Sequence, residues 1–162
     1  MDKKSQFIEV VKKNEGLIFK VVMLYTNSLQ DREDLYQEIV FQLWKSFDSF
    51  AEKSKLSTWM YRVAMNTAIY SLKSSKRKVD TVPINLETTR FAEVLARPEE
   101  DRLKLLYEHI QRLNLLEKGI ILLFLEGKSH KEIAEIIGIT TSNVGTKISR
   151  IKDKLKSDIT KK

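Results

Sequence analysis

Apolar residues recur at spacings of three and four along most of the chain, and no stretch alternates apolar with polar as a strand does. That period is helical. Only five glycines and two prolines interrupt it, so the pattern predicts an all-α fold. A first helix is predicted over residues 4–14 and a second over 16–25, with Phe7, Val10, Val11, Leu17, Val21 and Leu24 facing inward. Residues 26–30 read as a turn. A third helix starts near Asp31, a suitable cap, and carries Leu35, Ile39, Leu43 and Trp44 toward a core before it ends near Phe50. Its opposite, solvent-facing side is left to Asp34, Gln37, Glu38 and Gln42. A polar loop over 51–55 leads into a helix from about Ser57 to Ser74, whose inward positions are Met60, Val63, Ala64, Thr67 and Ala68.

Both prolines and several Thr and Asn residues fall between 79 and 100, which marks a linker. Helical spacing resumes near Asp101 with Leu103, Leu106, Tyr107 and Ile110 inward. Asn114, with Glu117 three residues on, caps the very apolar segment 115–125, which must be buried among its neighbours or dock a partner, burial accounting for most of it. The next segment, 129–150, has a recognisable plan. Ser129 and Glu132 form a capping box, Gly138 stands where a C-terminal cap belongs, and Thr140 or Thr141 can cap the helix that follows. Ala134, Gly138, Val144 and Ile148 have helix-turn-helix spacing: a small residue for close approach, a glycine for the left-handed turn and two branched residues to pin the second helix. On that second helix Ser142, Asn143, Thr146, Lys147 and Arg150 point outward, and all can bond to base edges or phosphates. A small helical hairpin with a glycine turn could show this spacing too; caps, spacing and charge together favour DNA.

Charge divides the 162 residues into three parts. Residues 1–78 hold 14 basic and 9 acidic residues, 79–101 hold 2 and 6, and 102–162 hold 13 and 7. Two basic modules on an acidic tether are predicted, each with a surface suited to a polyanion. The absence of cysteine excludes disulfides and thiolate chemistry, and two isolated histidines, His109 and His130, make no metal site. His130 is expected to face solvent or to cap its helix. No catalytic residue, metal or cofactor is expected. The longest greasy run, 120–125, is too short to span a bilayer, so no membrane insertion and a cytoplasmic location are expected.

In the first module Trp59, Arg62, Asn66, Tyr70 and Lys73 recur at three and four along one helix and form a ladder of aromatic and donor groups. Such a ladder suits single-stranded nucleic acid, where stacking on unpaired bases contributes about 1–3 kcal/mol per base. Trp59 taken alone fits a core position as well.

In this order the elements resemble the extracytoplasmic-function (ECF, group 4) sigma factors of bacterial RNA polymerase. The likeness rests on Asp31-Arg-Glu-Asp-Leu-Tyr-Gln-Glu-Ile-Val-Phe41, on Leu56-Ser-Thr-Trp-Met-Tyr-Arg-Val-Ala-Met-Asn-Thr-Ala-Ile69, and on Gly127-Lys-Ser-His-Lys-Glu-Ile-Ala-Glu-Ile-Ile-Gly138 with the helix after it. It implies a region 2-like domain over 1–78, a linker over 79–101 and a region 4-like domain over 102–162. Asp34, Gln37 and Glu38 would then contact the clamp helices of core RNA polymerase. Lys53, Ser54, Lys55, Ser57, Trp59, Arg62, Asn66 and Lys73 would serve the melted −10 element of promoter DNA. Ser142, Asn143, Thr146, Lys147 and Arg150 would read the −35 element. The resemblance also implies contact with the polymerase flap and an anti-sigma factor as partner. It departs from the family at Tyr70, where an acidic residue is common, and at Gly145, where a basic residue is common and a DNA contact is lost. The rival reading is a stand-alone helix-turn-helix regulator.

Overall fold

The computed structural model describes residues 2–50, 55–74 and 101–160, and every regular element among them is an α-helix. They form two compact units. The first contains α1 (Lys3–Lys13), α2 (Glu15–Tyr25), α3 (Leu29–Phe50) and α4 (Leu56–Ser74). The second contains α5 (Asp101–Ile110), α6 (Leu115–Leu125), α7 (His130–Ile137) and α8 (Thr141–Thr160). The predicted linker lies almost wholly outside the described residues.

In the first unit α3 keeps the predicted stripe, with Leu35, Ile39 and Leu43 buried. Its start does not follow the prediction. Ser28 caps it, accepting the Asp31 N–H at 3.1 Å, so the helix opens at Leu29, two residues ahead of Asp31. Helices α2 and α4 differ more. Val21 through Tyr25 are buried in succession, as are Thr58 through Tyr61. A run of consecutive buried residues leaves a helix with no solvent face over that turn. The reason is packing on several sides: α2 touches α1, α3 and α4, and α4 touches both α2 and α3. On α2, Ile18 is fully buried while Leu17 is only half-buried.

Aromatic rings tie α1, α3 and α4 together. Phe7 meets Trp44 and Phe47 edge-on at 5.1 and 5.3 Å between centroids, and Trp59 lies 4.9 Å from Phe50 and 6.2 Å from Phe47. Pairs of this geometry add about 0.5–1.5 kcal/mol each beyond burial.

The second unit is organised by its caps. Asn114 Oδ1 accepts the Glu117 N–H at 2.8 Å while Glu117 Oε1 accepts the Asn114 N–H at 3.2 Å. Ser129 and Glu132 repeat that exchange at 3.1 and 3.0 Å. Gly138 adopts φ 88°, its N–H bonds to Ala134 O at 2.8 Å, and Thr140 Oγ1 then caps α8 by accepting the Asn143 N–H at 3.1 Å. Val144, Ile148, Ile151 and Leu155 turn one face of α8 into a core that also holds Ile120, Leu123, Ile133 and Ile136.

The two glycines near this turn act differently. Gly138 holds a left-handed backbone that a Cβ disfavours by about 1–2 kcal/mol. Gly145 is helical, and a Cβ there would make only ordinary contact, 3.7 Å, with the His130 ring. Gly138→Ala is therefore expected to destabilise the chain by about 1–2 kcal/mol, and Gly145→Ala to stabilise it by about 0.5–1 kcal/mol. Thermal denaturation of the two variants should move in opposite directions.

Glu117 also binds Lys154 Nζ through its second oxygen at 2.6 Å, joining α6 to α8. Burial pushes its carboxyl pKa up, but the Lys154 hydrogen bond, the Asn114 N–H and the Lys154 and Lys147 charges outweigh that and hold it below the ordinary value. A lowered folded pKa means the stabilisation is complete above the unfolded value, about 4.3, and is lost as pH falls through the folded one. Urea denaturation between about pH 6 and pH 3 should show stability falling with acid, and Glu117→Gln should flatten that fall.

Candidate nucleic-acid interface

Turning Val144, Ile148, Ile151 and Leu155 inward leaves the other side of α8 to solvent. Ser142, Asn143, Thr146 and Arg150, all predicted as DNA contacts, are exposed along that arc. The Thr146 hydroxyl donates to Ser142 O at 3.3 Å, which sets its orientation. Lys147 is placed differently. It is half-buried at the edge of the arc, near enough to Glu117 for its charge to lower that carboxyl's pKa. Its charge is thus shared with the α6 side of the unit. The other edge carries Gly145, with the exposed His130 beside it.

On α3, Asp34, Gln37 and Glu38 are exposed as predicted. Two local hydrogen bonds hold the carboxylates, from Gln30 Nε2 to Asp34 Oδ1 and from Gln42 Nε2 to Glu38 Oε2, each 2.9 Å. Gln37 also lines an apolar groove of about 440 Å³ between α1 and α3, together with Ile8, Tyr36, Val40 and Phe41. Ile8 and Phe41 are 42% and 52% exposed, so this face carries more apolar surface than its polar residues suggest. The periodic reading missed it. Phe41, two residues beyond Ile39, falls outside the inward stripe, and that placement is the signal that identifies it.

The ladder on α4 divides. Trp59 is only 6% exposed, enclosed by Phe47 and Phe50, and so is not an outward stacking platform; this corrects its placement among the DNA-facing residues. The physical cause is the packing of that turn of α4 on several sides. Arg62 is half-buried, and Asn66, Tyr70 and Lys73 are exposed. Lys55 is exposed and Ser57 half-buried, while Lys53 and Ser54 lie outside the described residues. A cleft of about 650 Å³ separates α3 from α4, with Asp34, Glu38 and Gln42 on one wall and Asn66, Tyr70 and Ser74 on the other. Residues that the sequence assigned to two partners therefore border one depression.

Among the described residues, no group of three or more His, Cys, Asp or Glu side chains is placed to hold a metal ion. Nor is any described helix long and apolar enough to cross a membrane.

Residues 10–78 match the family model of sigma-70 region 2, and residues 103–155 match that of sigma-70 region 4. A stretch of 53 residues is 45% identical to the ECF RNA polymerase sigma factor SigG of Mycobacterium tuberculosis, covering 33% of this chain and 14% of that protein. The ECF RNA polymerase sigma-E factor of Haemophilus influenzae is 28% identical over 170 residues, covering 98% of this chain and 89% of that one. The fold matches that of the sigma factor RpoE from Bartonella quintana, solved in complex with the anti-sigma factor NepR, with a TM-score of 0.71 and 18% identity over 98% of this chain and 96% of that one. With region 2 and region 4 both present, in that order, and relatives aligned along nearly its whole length, the chain belongs to the sigma-70 family and to its ECF group.

Proposed function

We propose that this chain acts in the cytoplasm, binds core RNA polymerase, directs it to promoters bearing a −35 and a −10 element, and helps to melt the start region. The observation that carries this is the division of α8: one face is wholly used by the core, and the other presents Ser142, Asn143, Thr146 and Arg150 as a row of hydrogen-bonding groups. An α-helix about 10–12 Å across fits the major groove, about 12 Å wide. Arg150 and Asn143 are the base-reading or phosphate-holding groups of that row, with Lys147 adding charge from its edge. The −35 element would meet this surface.

In the first unit, Asp34, Gln37 and Glu38 would engage the polymerase clamp helices, and the apolar groove beside Gln37 would widen that contact. Lys53, Ser54, Lys55, Ser57, Arg62, Asn66 and Lys73 would hold the melted −10 strand. Trp59 supports this surface from beneath, where its contacts with Phe47 and Phe50 fix the start of α4. Residues 1–78 and 102–162 would be the two DNA-reading domains, and the acidic 79–101 stretch the tether between them. Catalysis belongs to the polymerase. Each small reader binds weakly alone, and the polymerase raises their joint affinity by fixing their separation. A sigma factor of similar fold was solved bound to an anti-sigma factor, and we infer a protein of that class as an inhibitor here.

Two variants separate the interfaces. Arg150→Ala should weaken −35-dependent transcription by about 1–3 kcal/mol in promoter binding while core polymerase binding stays unchanged. Asp34→Ala combined with Glu38→Ala should lower affinity for core polymerase and leave the fold intact, since both side chains are exposed. Polymerase affinity and footprinting of the holoenzyme on promoter fragments measure the two effects. Loss of both activities in both variants would contradict the assignment, and tight duplex binding by the chain alone would favour a stand-alone regulator.

A further inference from the structure

Thr146 lies two residues from both Val144 and Ile148, which places it across the helix from the core stripe. Asn143 stands three residues before it and Arg150 four after, so the three exposed side chains form one row along α8. The next residue of that row is Asp153, an exposed carboxylate that the phosphates of a groove wall repel. The part of the row suited to a groove therefore ends at Arg150.

Hydrogen bonds within the unit decide what each member of the row can offer a base. The Thr146 hydroxyl donates its proton to Ser142 O at 3.3 Å, which leaves the methyl as its free group. The Asn143 amide and the Arg150 guanidinium have no hydrogen-bond or ion-pair partner among the described residues. Major-groove edges sort these groups by base. An Asn amide pairs with N6 and N7 of adenine, an Arg guanidinium with O6 and N7 of guanine, and a methyl packs on the C5-methyl of thymine. No second cation flanks the row to read another guanine: Gly145 has no side chain, and Lys147 is half-buried with its charge acting on Glu117. From Asn143 to Arg150 the helix rises about 10 Å, the length of about three base pairs.

We propose that the −35 element of this chain is weighted toward A·T pairs: Asn143 reads an adenine, Thr146 a thymine methyl beside it, and Arg150 a single guanine about three base pairs from the adenine. This rests on the sigma-factor reading and gives it a sequence class.

The test uses holoenzyme, the full chain with core polymerase, on a promoter library randomised across the −35 element with the −10 element held constant. Bound fragments should be enriched in an adenine and a guanine at that spacing, with a thymine between them. Asn143→Arg should exchange the adenine preference for guanine, and Arg150→Gln should exchange the guanine preference for adenine, each at one position and by about five- to 150-fold. Thr146→Ser should weaken the thymine preference about fourfold, the value of one buried methyl group, while Thr146→Val keeps it. All three side chains are exposed, and thermal melts of the variants establish that the fold persists. If the library selects a different element, or if these variants change affinity equally on every sequence as a phosphate contact would, the proposal is overturned while the sigma-factor reading stands. If the parent holoenzyme enriches no sequence in the −35 window, that reading fails and the proposal with it.

Discussion

A helix of 3.6 residues per turn has a limited circumference, and every residue given to the core is withdrawn from any partner. This constraint governs both units. In α8 the core takes one narrow stripe, Val144, Ile148, Ile151 and Leu155, and most of the circumference remains available. In α4 the core takes Thr58, Trp59, Met60 and Tyr61 in succession, and availability returns only farther along, at Asn66, Tyr70 and Lys73. The start of α4 is thus given almost wholly to the core, and exposed side chains appear farther along it. α8 divides around its axis and α4 divides along it.

That contrast explains what could be read in the sequence. A helix packed on one side announces its orientation by period, so the exposed face of α8 apart from Lys147, and Asp34, Gln37 and Glu38 on α3, were legible from spacing. A helix packed on several sides has no period to announce. Trp59 shares a three-and-four ladder with Asn66 and Lys73, and only the arrival of Phe47 and Phe50 from α3 decides that it lies inside. Caps were legible where one good donor-acceptor arrangement exists, as at Ser129 with Glu132. They were not legible at α3, where Ser28 and Asp31 are both good caps about one turn apart and the choice of Ser28 is made by the folded backbone. Pairings between distant residues, such as Glu117 with Lys154 or His130 with Gly145, leave no trace in local spacing.

Glu117 shows how a local signal becomes a tertiary one. Its capping oxygen satisfies the start of α6, while its other oxygen holds Lys154 on α8. One carboxylate thus links the start of α6 to α8. The Lys147 charge also lowers the pKa of the same carboxyl, so part of the charge on α8 acts within the unit.

The turn at Gly138 supplies the remaining coordinate. Its left-handed backbone fixes the angle between α7 and α8, and Thr140 begins the new helix at once, so few bonds can flex between them. The start of α7 is therefore held close to the second turn of α8, where a Cβ at Gly145 would stand 3.7 Å from the His130 ring. A side chain on α7 has its position set by α7, so the exposed surface beside α8 is built from two helices whose mutual geometry the turn determines. A recognition surface assembled this way depends on the turn as much as on the residues it displays. Loosening Gly138 would misplace α7 and α8 relative to each other without changing any side chain on either.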